Sequence, residues 1–422
     1  MTDFTAYNSR ESSVRSYSRR TPVMFSRASG HRLFSRDGAE YTDFLSGSGA
    51  LNYGHNDPDM KAALIEYLSK DGLVMGLDLY FDAKEKFLEA FDELILGPRD
   101  QQYKLQFVGP TGTNAVEAAL KLARKFTGRA NVVSFTNGYH GCTLGALGAT
   151  GNTSYRRGSQ WQLGQVYRAP YDGYIDGLDS ADLLGRMMSD PSSGFDNIAA
   201  IILESIQGEG GFNAATPQWL QKIEAVARKH KAILILDEIQ TGCGRSGPFL
   251  SFENLGITPD LIAMAKSLSG FGLPLAMVLI RPDIDVWEPA EHTGTFRGNA
   301  SAFVTGTVAL RKFWADRSLT ERTLRNEAQI AQRLTALAKR HDCRRKGRGM
   351  MQGLQFRDGQ TAAQVQLLCL ERKLLVESCG PFGEVIKLLP PLTIPESSLD
   401  QGLSILEDAM ARLDGGKAPS RV

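Results

Sequence analysis

The middle of the chain repeats one pattern, and it limits the possible folds to very few. Short apolar runs rich in Val, Ile and Leu lie at Asn131 to Phe135, Ala199 to Glu204, Ala232 to Asp237, Leu261 to Ala265 and Leu275 to Ile280. Each is long enough for a strand and too short for a membrane span, and the strings are apolar rather than alternating. A strand of that kind is covered on both faces. Helical segments lie between the runs. TPQWLQKIEAVARKHK has Thr216 placed as its N-cap and Pro217 at the first helical position. Asn114 to Phe126 puts Val116, Ala119, Leu120 and Ala123 on one face, and Gly128 follows its end. It is preceded by a strand candidate at Lys104 to Val108. The pattern predicts an α/β fold built on a mainly parallel sheet with helices on both sides.

The flanks read differently. Residues 1 to about 60 are irregular, with small strands expected at Thr21 to Phe25, Arg32 to Ser35 and Tyr41 to Phe44. Asp57-Pro58 opens a helix that stops near Asp71-Gly72, and DAKEKFLEAFDELIL is a second helix ended by Gly97-Pro98. After about residue 320 come a long charged helix, the strand MMQGLQF, another helix, KLLPPLTI and a final amphipathic helix. The expected division is a large domain over 61–318 and a smaller α+β domain over 319–422, with 1–60 belonging to the smaller one. The basic run KRHDCRRKGRG at 339–349 is read as a solvated helix end and turn, since no aromatics are interleaved with it.

Composition narrows the partners. The 48 basic residues nearly balance the 47 acidic ones, for a net charge of +1, which argues against nucleic acid or an anionic membrane surface. The N-terminal MTDFTAYNSRESS has no apolar core, so no signal peptide is expected and a cytoplasmic location is. Five cysteines, at 142, 243, 343, 369 and 379, fit neither a disulfide framework nor a zinc knuckle. No metal site is expected.

Three features could carry chemistry. GPTGTNAVEAALKLA is a strand, a Gly-rich turn and then a helix, and it sets the Gly112 and Thr113 amides at a helix N-terminus that favours an anion. A plain strand-to-helix turn would carry the same residues. ILILDEIQTGCGRSG ends an apolar strand on Asp237 and Glu238, which point to opposite faces, with Gln240 just beyond. A carboxylate at the C-terminal end of a parallel strand lies where ligands bind, but it also serves as a loop cap. DLIAMAKSLSG ends another apolar strand near Lys266. Such a lysine is either solvated or held in an apolar setting that favours the neutral amine. In combination, anion turn, acid and lysine are what pyridoxal phosphate requires: amides for its phosphate, an acid for its ring nitrogen, an amine for its aldehyde.

At this point the chain resembles the class III (ω-) aminotransferases of the fold-type I pyridoxal phosphate enzymes. The motifs are GPTGTNAVEAALK, SFTNGYHG, ILESIQGEGG, LILDEIQTGCGRSG, AKSLSG, GTFRGN and GRGMMQGLQF. Within the class it is most similar to the diaminobutyrate–2-oxoglutarate aminotransferases of ectoine and siderophore synthesis. The resemblance implies a seven-stranded, mainly parallel sheet in the large domain, pyridoxal 5'-phosphate as cofactor, a small-molecule amino donor and carbonyl acceptor, and a homodimer or higher homo-oligomer. It implies Lys266 as the Schiff-base lysine, Asp237 against the ring nitrogen and Gln240 near the ring hydroxyl. Gly112 and Thr113 hold the phosphate, Tyr139 stacks on the ring with His140 beside it, and Glu204 supports them. Thr295 reaches the phosphate from the other subunit. For the substrate it points to Glu209, Arg297, Lys387 and Tyr53, with Met75, Tyr80 and Phe271 shaping the pocket.

Several positions depart from the pattern. The arginine that normally precedes PPL, and that pairs with a glutamate matched by Glu209, is Lys387 here. An ammonium lacks the bidentate fork that suits a carboxylate. Arg297 is then a candidate carboxylate binder or a structural arginine. Met75 and the sequence DEIQTG differ from the ectoine-type pattern. The implied reaction moves an amino group from L-glutamate to L-aspartate 4-semialdehyde. A class III enzyme for another ω-amino or carbonyl substrate, or a racemase or aminomutase, is the alternative. A DNA-binding regulator of this fold is disfavoured because residues 1–60 carry no helix-turn-helix pattern.

Overall fold

The computed structural model describes residues 4–159 and 163–414. Its strands, in chain order, are β1 (Phe25–Ser29), β2 (Arg32–Ser35), β3 (Glu40–Asp43), β4 (Lys104–Phe107), β5 (Asn131–Phe135), β6 (Val166–Ala169), β7 (Ile198–Leu203), β8 (Ile233–Asp237), β9 (Leu261–Met264), β10 (Met277–Ile280), β11 (Arg344–Arg348), β12 (Met351–Gln355), β13 (Leu374–Leu375), β14 (Glu377–Cys379) and β15 (Val385–Leu388). The central sheet has seven strands in the order β4-β10-β9-β8-β7-β5-β6. Only β10 runs against its neighbours in it.

Why the central runs are apolar throughout is visible in their packing. Ala200, Ile202, Ile233, Ile235, Leu261 and Ala263 face one side and pack with Ala115, Val116, Ala119 and Leu120 of the Gly112–Thr127 helix. The alternate residues Ile201, Leu203, Leu234, Leu236, Ile262 and Met264 face the other side, where Trp219, Leu220 and Ile223 of the Pro217–His230 helix meet them. Period two therefore divides each strand between two cores. The helix ends follow the expected chemistry. Thr216 Oγ1 accepts from the Trp219 amide at 3.3 Å, and Gly128 closes its helix in the left-handed region at φ 66°.

Two four-stranded sheets flank the center, in the orders β1-β2-β3-β13 and β11-β12-β15-β14. The first joins the start of the chain to its C-terminal part, since β3 pairs in parallel with β13. Three local readings are corrected. The strand expected at Thr21 to Phe25 lies at Phe25–Ser29, because the β1–β2 turn sits at Gly30 and fixes the register. The basic run at 339–349 is a helix end and turn only as far as residue 343: Arg344 to Arg348 form β11, paired with β12. The helix over 82–96 is α-helical to Phe91 and widens to a π turn over Asp92–Leu96. The sequence reading had no strand at β6 and no helix at Thr5–Arg10 or Tyr17–Arg20. Among the described residues no helix is long and apolar enough to cross a membrane.

Candidate active site

A cavity of about 520 Å³ opens beyond the C-terminal ends of β7, β8 and β9. This is where a parallel sheet leaves its loops free to bind a ligand. Gly112, Thr113, Tyr139, His140, Glu204, Glu209, Asp237, Gln240 and Lys266 all line it.

Asp237 is the last residue of β8 and Glu238 the next, so the strand sends them in opposite directions. Asp237 faces the cavity, and its Oδ2 accepts from His140 Nδ1 at 2.8 Å. Burial works against a charged His140 ring, but the bond and the charge of Asp237 outweigh it and raise the ring above its ordinary value. Glu238 turns away and is buried. It accepts from Ser251 N at 3.0 Å and Thr241 Oγ1 at 3.0 Å, yet burial still pushes it up to about 7. Its folded value lies above its unfolded one, so the stability it contributes is present at acid pH and is lost as pH rises through about 7. Thermal melts should show this loss, about 3 kcal/mol at most from this group, and Glu238→Gln should flatten it.

Lys266 follows β9 on a backbone that leaves the strand at φ 51°, a region non-glycine residues rarely adopt. The turn is pinned by Ser267, whose Oγ donates to Gly49 O at 2.8 Å and accepts from Asn52 N at 3.0 Å. Burial lowers the Lys266 amine, partly offset by the charge of Glu209. Among the described residues no carboxylate lies within ion-pair distance of it.

The Gly112–Thr127 helix points its N-terminus into the cavity. Its cap residue Thr111 makes no side-chain cap bond, so the leading amides stay available to an anion. Gln240 Nε2 donates to Ser48 O at 3.0 Å, while its Oε1 is buried without a partner. Glu204 bridges two loops by accepting from Tyr139 N at 3.0 Å and Gly208 N at 2.9 Å, and burial raises it to about 7. The loop after β7 turns tightly: a Cβ on Gly210 would lie 2.1 Å from Asn137 O. Gly210→Ala should displace neighbouring Glu209 and cost about 1–3 kcal/mol, measured as a fall in melting temperature.

The remaining predicted residues fall elsewhere. Tyr53 is corrected to a core residue: its ring stacks on Phe313 at 4.7 Å and its hydroxyl accepts from Trp314 Nε1 at 2.8 Å. Arg297 lies in a separate cleft and pairs with Asp78, so it does not reach the cavity of its own chain. Thr295, Met75 and Tyr80 are exposed and also stay outside it. Phe271 packs against the core beside the lining residue Gly272. Lys387 is buried behind the cavity, and its Nζ reaches Glu209 Oε1 at 2.8 Å. Sequence reasoning missed Glu377, Ser48 and Tyr155. Tyr155 meets Tyr139 edge-on at 5.0 Å. Of these, only Ser48 had a signal, its place in the Gly-rich GSG turn.

The family model for class III aminotransferases matches residues 14–410. The chain belongs to the class III aminotransferases. It is a pyridoxal phosphate-dependent aminotransferase. It is 52% identical over 400 residues to a diaminobutyrate–2-oxoglutarate transaminase of Vibrio cholerae, covering 94% of this chain and 97% of that protein. A protein of the same name from Nocardia farcinica is 50% identical over 407 residues, covering 96% and 93%. The ornithine aminotransferase of Toxoplasma gondii superposes with a TM-score of 0.84 at 26% identity, over 98% of this chain and 95% of that one.

Proposed function

We propose that this aminotransferase moves the amino group of L-glutamate to L-aspartate 4-semialdehyde, yielding 2-oxoglutarate and L-2,4-diaminobutyrate. The near full-length identity to transaminases of that name carries the choice of substrates. The cavity suits the cofactor. Two open amides at Gly112 and Thr113 match its phosphate, and Asp237 matches a protonated ring nitrogen. The orphaned Gln240 Oε1 matches a donor on the ring, and Lys266 supplies the amine.

Pyridoxal phosphate supplies a carbonyl carbon that carries the amino group and a ring that draws electrons from the substrate carbon. The protein residues do the rest. Burial lowers the Lys266 amine, and its Nζ, on the cavity wall, is placed to take the proton from the amine-bearing carbon of the substrate and to give it back. Asp237 would keep the ring nitrogen protonated, and the bond from His140 orients its carboxylate. Tyr139, on the cavity wall, would cover the ring face and exclude water. Glu209 faces the distal end of the substrate, with Lys387 behind it.

The same reading makes the enzyme a homodimer. Thr295 and Arg297, outside the cavity of their own chain, then serve the neighbouring one, and the exposed Leu79, Tyr80 and Phe296 are covered. It divides the chain into a large domain over 61–318 and a smaller one from 1–60 and 319–422. A cytoplasmic location suits the five cysteines, all unpaired. The test is chromatographic: L-glutamate and aspartate semialdehyde should give 2,4-diaminobutyrate and 2-oxoglutarate in equal amounts. Turnover with other carbonyl acceptors but not with this one sinks the substrate assignment. Racemisation or mutation without an acceptor sinks the transaminase reading.

A further inference from the structure

Behind the cavity lies a buried cluster with more acid than base. Glu377 on β14 and Lys387 on β15 are direct cross-strand partners. Lys387 Nζ lies 2.8 Å from Glu377 Oε2, 2.8 Å from Glu209 Oε1 and 3.4 Å from Ser48 Oγ. Lys387 Nζ donates hydrogen bonds to Glu209 and Ser48, and it pairs with Glu377 Oε2 by charge, that oxygen making no hydrogen bond. The Lys387 side chain is 1% exposed and that of Glu377 8%, while Glu209, at 19%, lines the cavity. One buried ammonium needs one counterion, yet two carboxylates are supplied. Arg20 is the other nearby cation. It is exposed and bonds Ser378 Oγ at 3.1 Å, so solvent screens its charge. Lys266 is committed to the chemistry.

We propose that Glu377 is a specificity-determining positioning residue. By neutralising and holding Lys387, it leaves Glu209 as a net negative charge facing the cavity. That charge selects a substrate whose distal end carries an ammonium. The inference rests on the reaction proposed above. 2,4-Diaminobutyrate reacts at its C4 amine and keeps its α-ammonium, beside its α-carboxylate, at the far end. L-Glutamate reacts at its α-amine and presents only a carboxylate there. A glutamate placed merely to pack would be a poor choice in a buried sheet, where an apolar pair of similar volume serves at least as well.

The test compares the two substrates on the holoenzyme by following each half-reaction to saturation. In Glu377→Gln, the half-saturating concentration of L-2,4-diaminobutyrate should rise about tenfold or more, the scale of one charge lost at a few ångström in a screened interior. Its maximal rate should hold, and the half-saturating concentration of L-glutamate, which puts a carboxylate at the same place, should hold or fall. Combining Glu377→Gln with Lys387→Gln restores the net charge and should bring the ratio between substrates back to within a few-fold of wild type. This double variant leaves no unpaired Lys387 charge, so it carries the test even where the single variant fails to fold. Equal shifts for both substrates in the single variant, or no shift, overturn the inference alone. A double variant that loses glutamate selectively also overturns it, because Lys387 is then a carboxylate binder. A wild-type enzyme that reacts with glutamate but not with diaminobutyrate overturns both the reaction and the inference.

Discussion

Lys266→Ala should give a folded protein that no longer transfers amino groups. The amine lies in the cavity on a left-handed backbone turn, lowered by burial and without a carboxylate partner. It is asked both to hold the cofactor and to move the proton, and loss of a residue in both roles should cost about 10⁴-fold or more in rate. Stability should respond in the opposite sense. Removing a buried amine that lacks a counterion relieves a desolvation cost, so the melting temperature should hold or rise. Lys266→Arg keeps a cation at the site but leaves no neutral amine at working pH, and should lose as much activity. Two measurements decide it: the visible absorbance of the lysine-linked cofactor, and the rate of its conversion by L-glutamate. A variant that keeps the absorbance and more than about a hundredth of the rate would assign the role to another amine.

How much of this was legible before the structure depends on which physical signal each residue carried. The residues at the C-terminal ends of strands were legible. β8 is apolar up to its last residue and β9 is apolar throughout, so the first polar residues the chain then reaches, Asp237 and Lys266, stood out, and strand alternation sent Glu238 away from its neighbour. The helix opening at Gly112 was legible from its Gly-Thr turn. Tyr53 was not, because an aromatic after a Gly-rich turn reads the same whether it lines a pocket or, as here, stacks on Phe313 in the core. β11 was hidden by composition, since Arg344, Arg345, Lys346 and Arg348 look like a solvated turn and only pairing with β12 makes them a strand. Glu377 had no local signal. Its meaning comes from the register that sets it opposite Lys387, and a sequence does not print the register of a hairpin whose strands are buried.

Asp237→Asn should separate charge from shape at the same site. Asparagine keeps the size of the carboxylate and one acceptor oxygen, which can still accept from His140 Nδ1, while the negative charge and the bond from Ile239 N to the other oxygen are lost. Without that charge the ring nitrogen is no longer held protonated, and the half-reaction with L-glutamate should slow by about 10²–10³-fold at saturating cofactor. The variant also changes His140. In the wild type, the partner's bond and charge overcome burial and raise the histidine above its ordinary value. The stability this adds is complete below about pH 6.5 and is lost as pH rises through the raised value. In the variant burial acts with less opposition, the histidine falls, and that acid-side stability goes with it. Melts from about pH 5.5 to about 8.5 should therefore show the variant weakened most at the acid end and converging with wild type at the alkaline end. A rate loss that saturating pyridoxal phosphate fully repairs would reduce Asp237 to a binding residue. A rate loss that persists at full occupancy, with the two melting curves converging at high pH, leaves its charge as the cause.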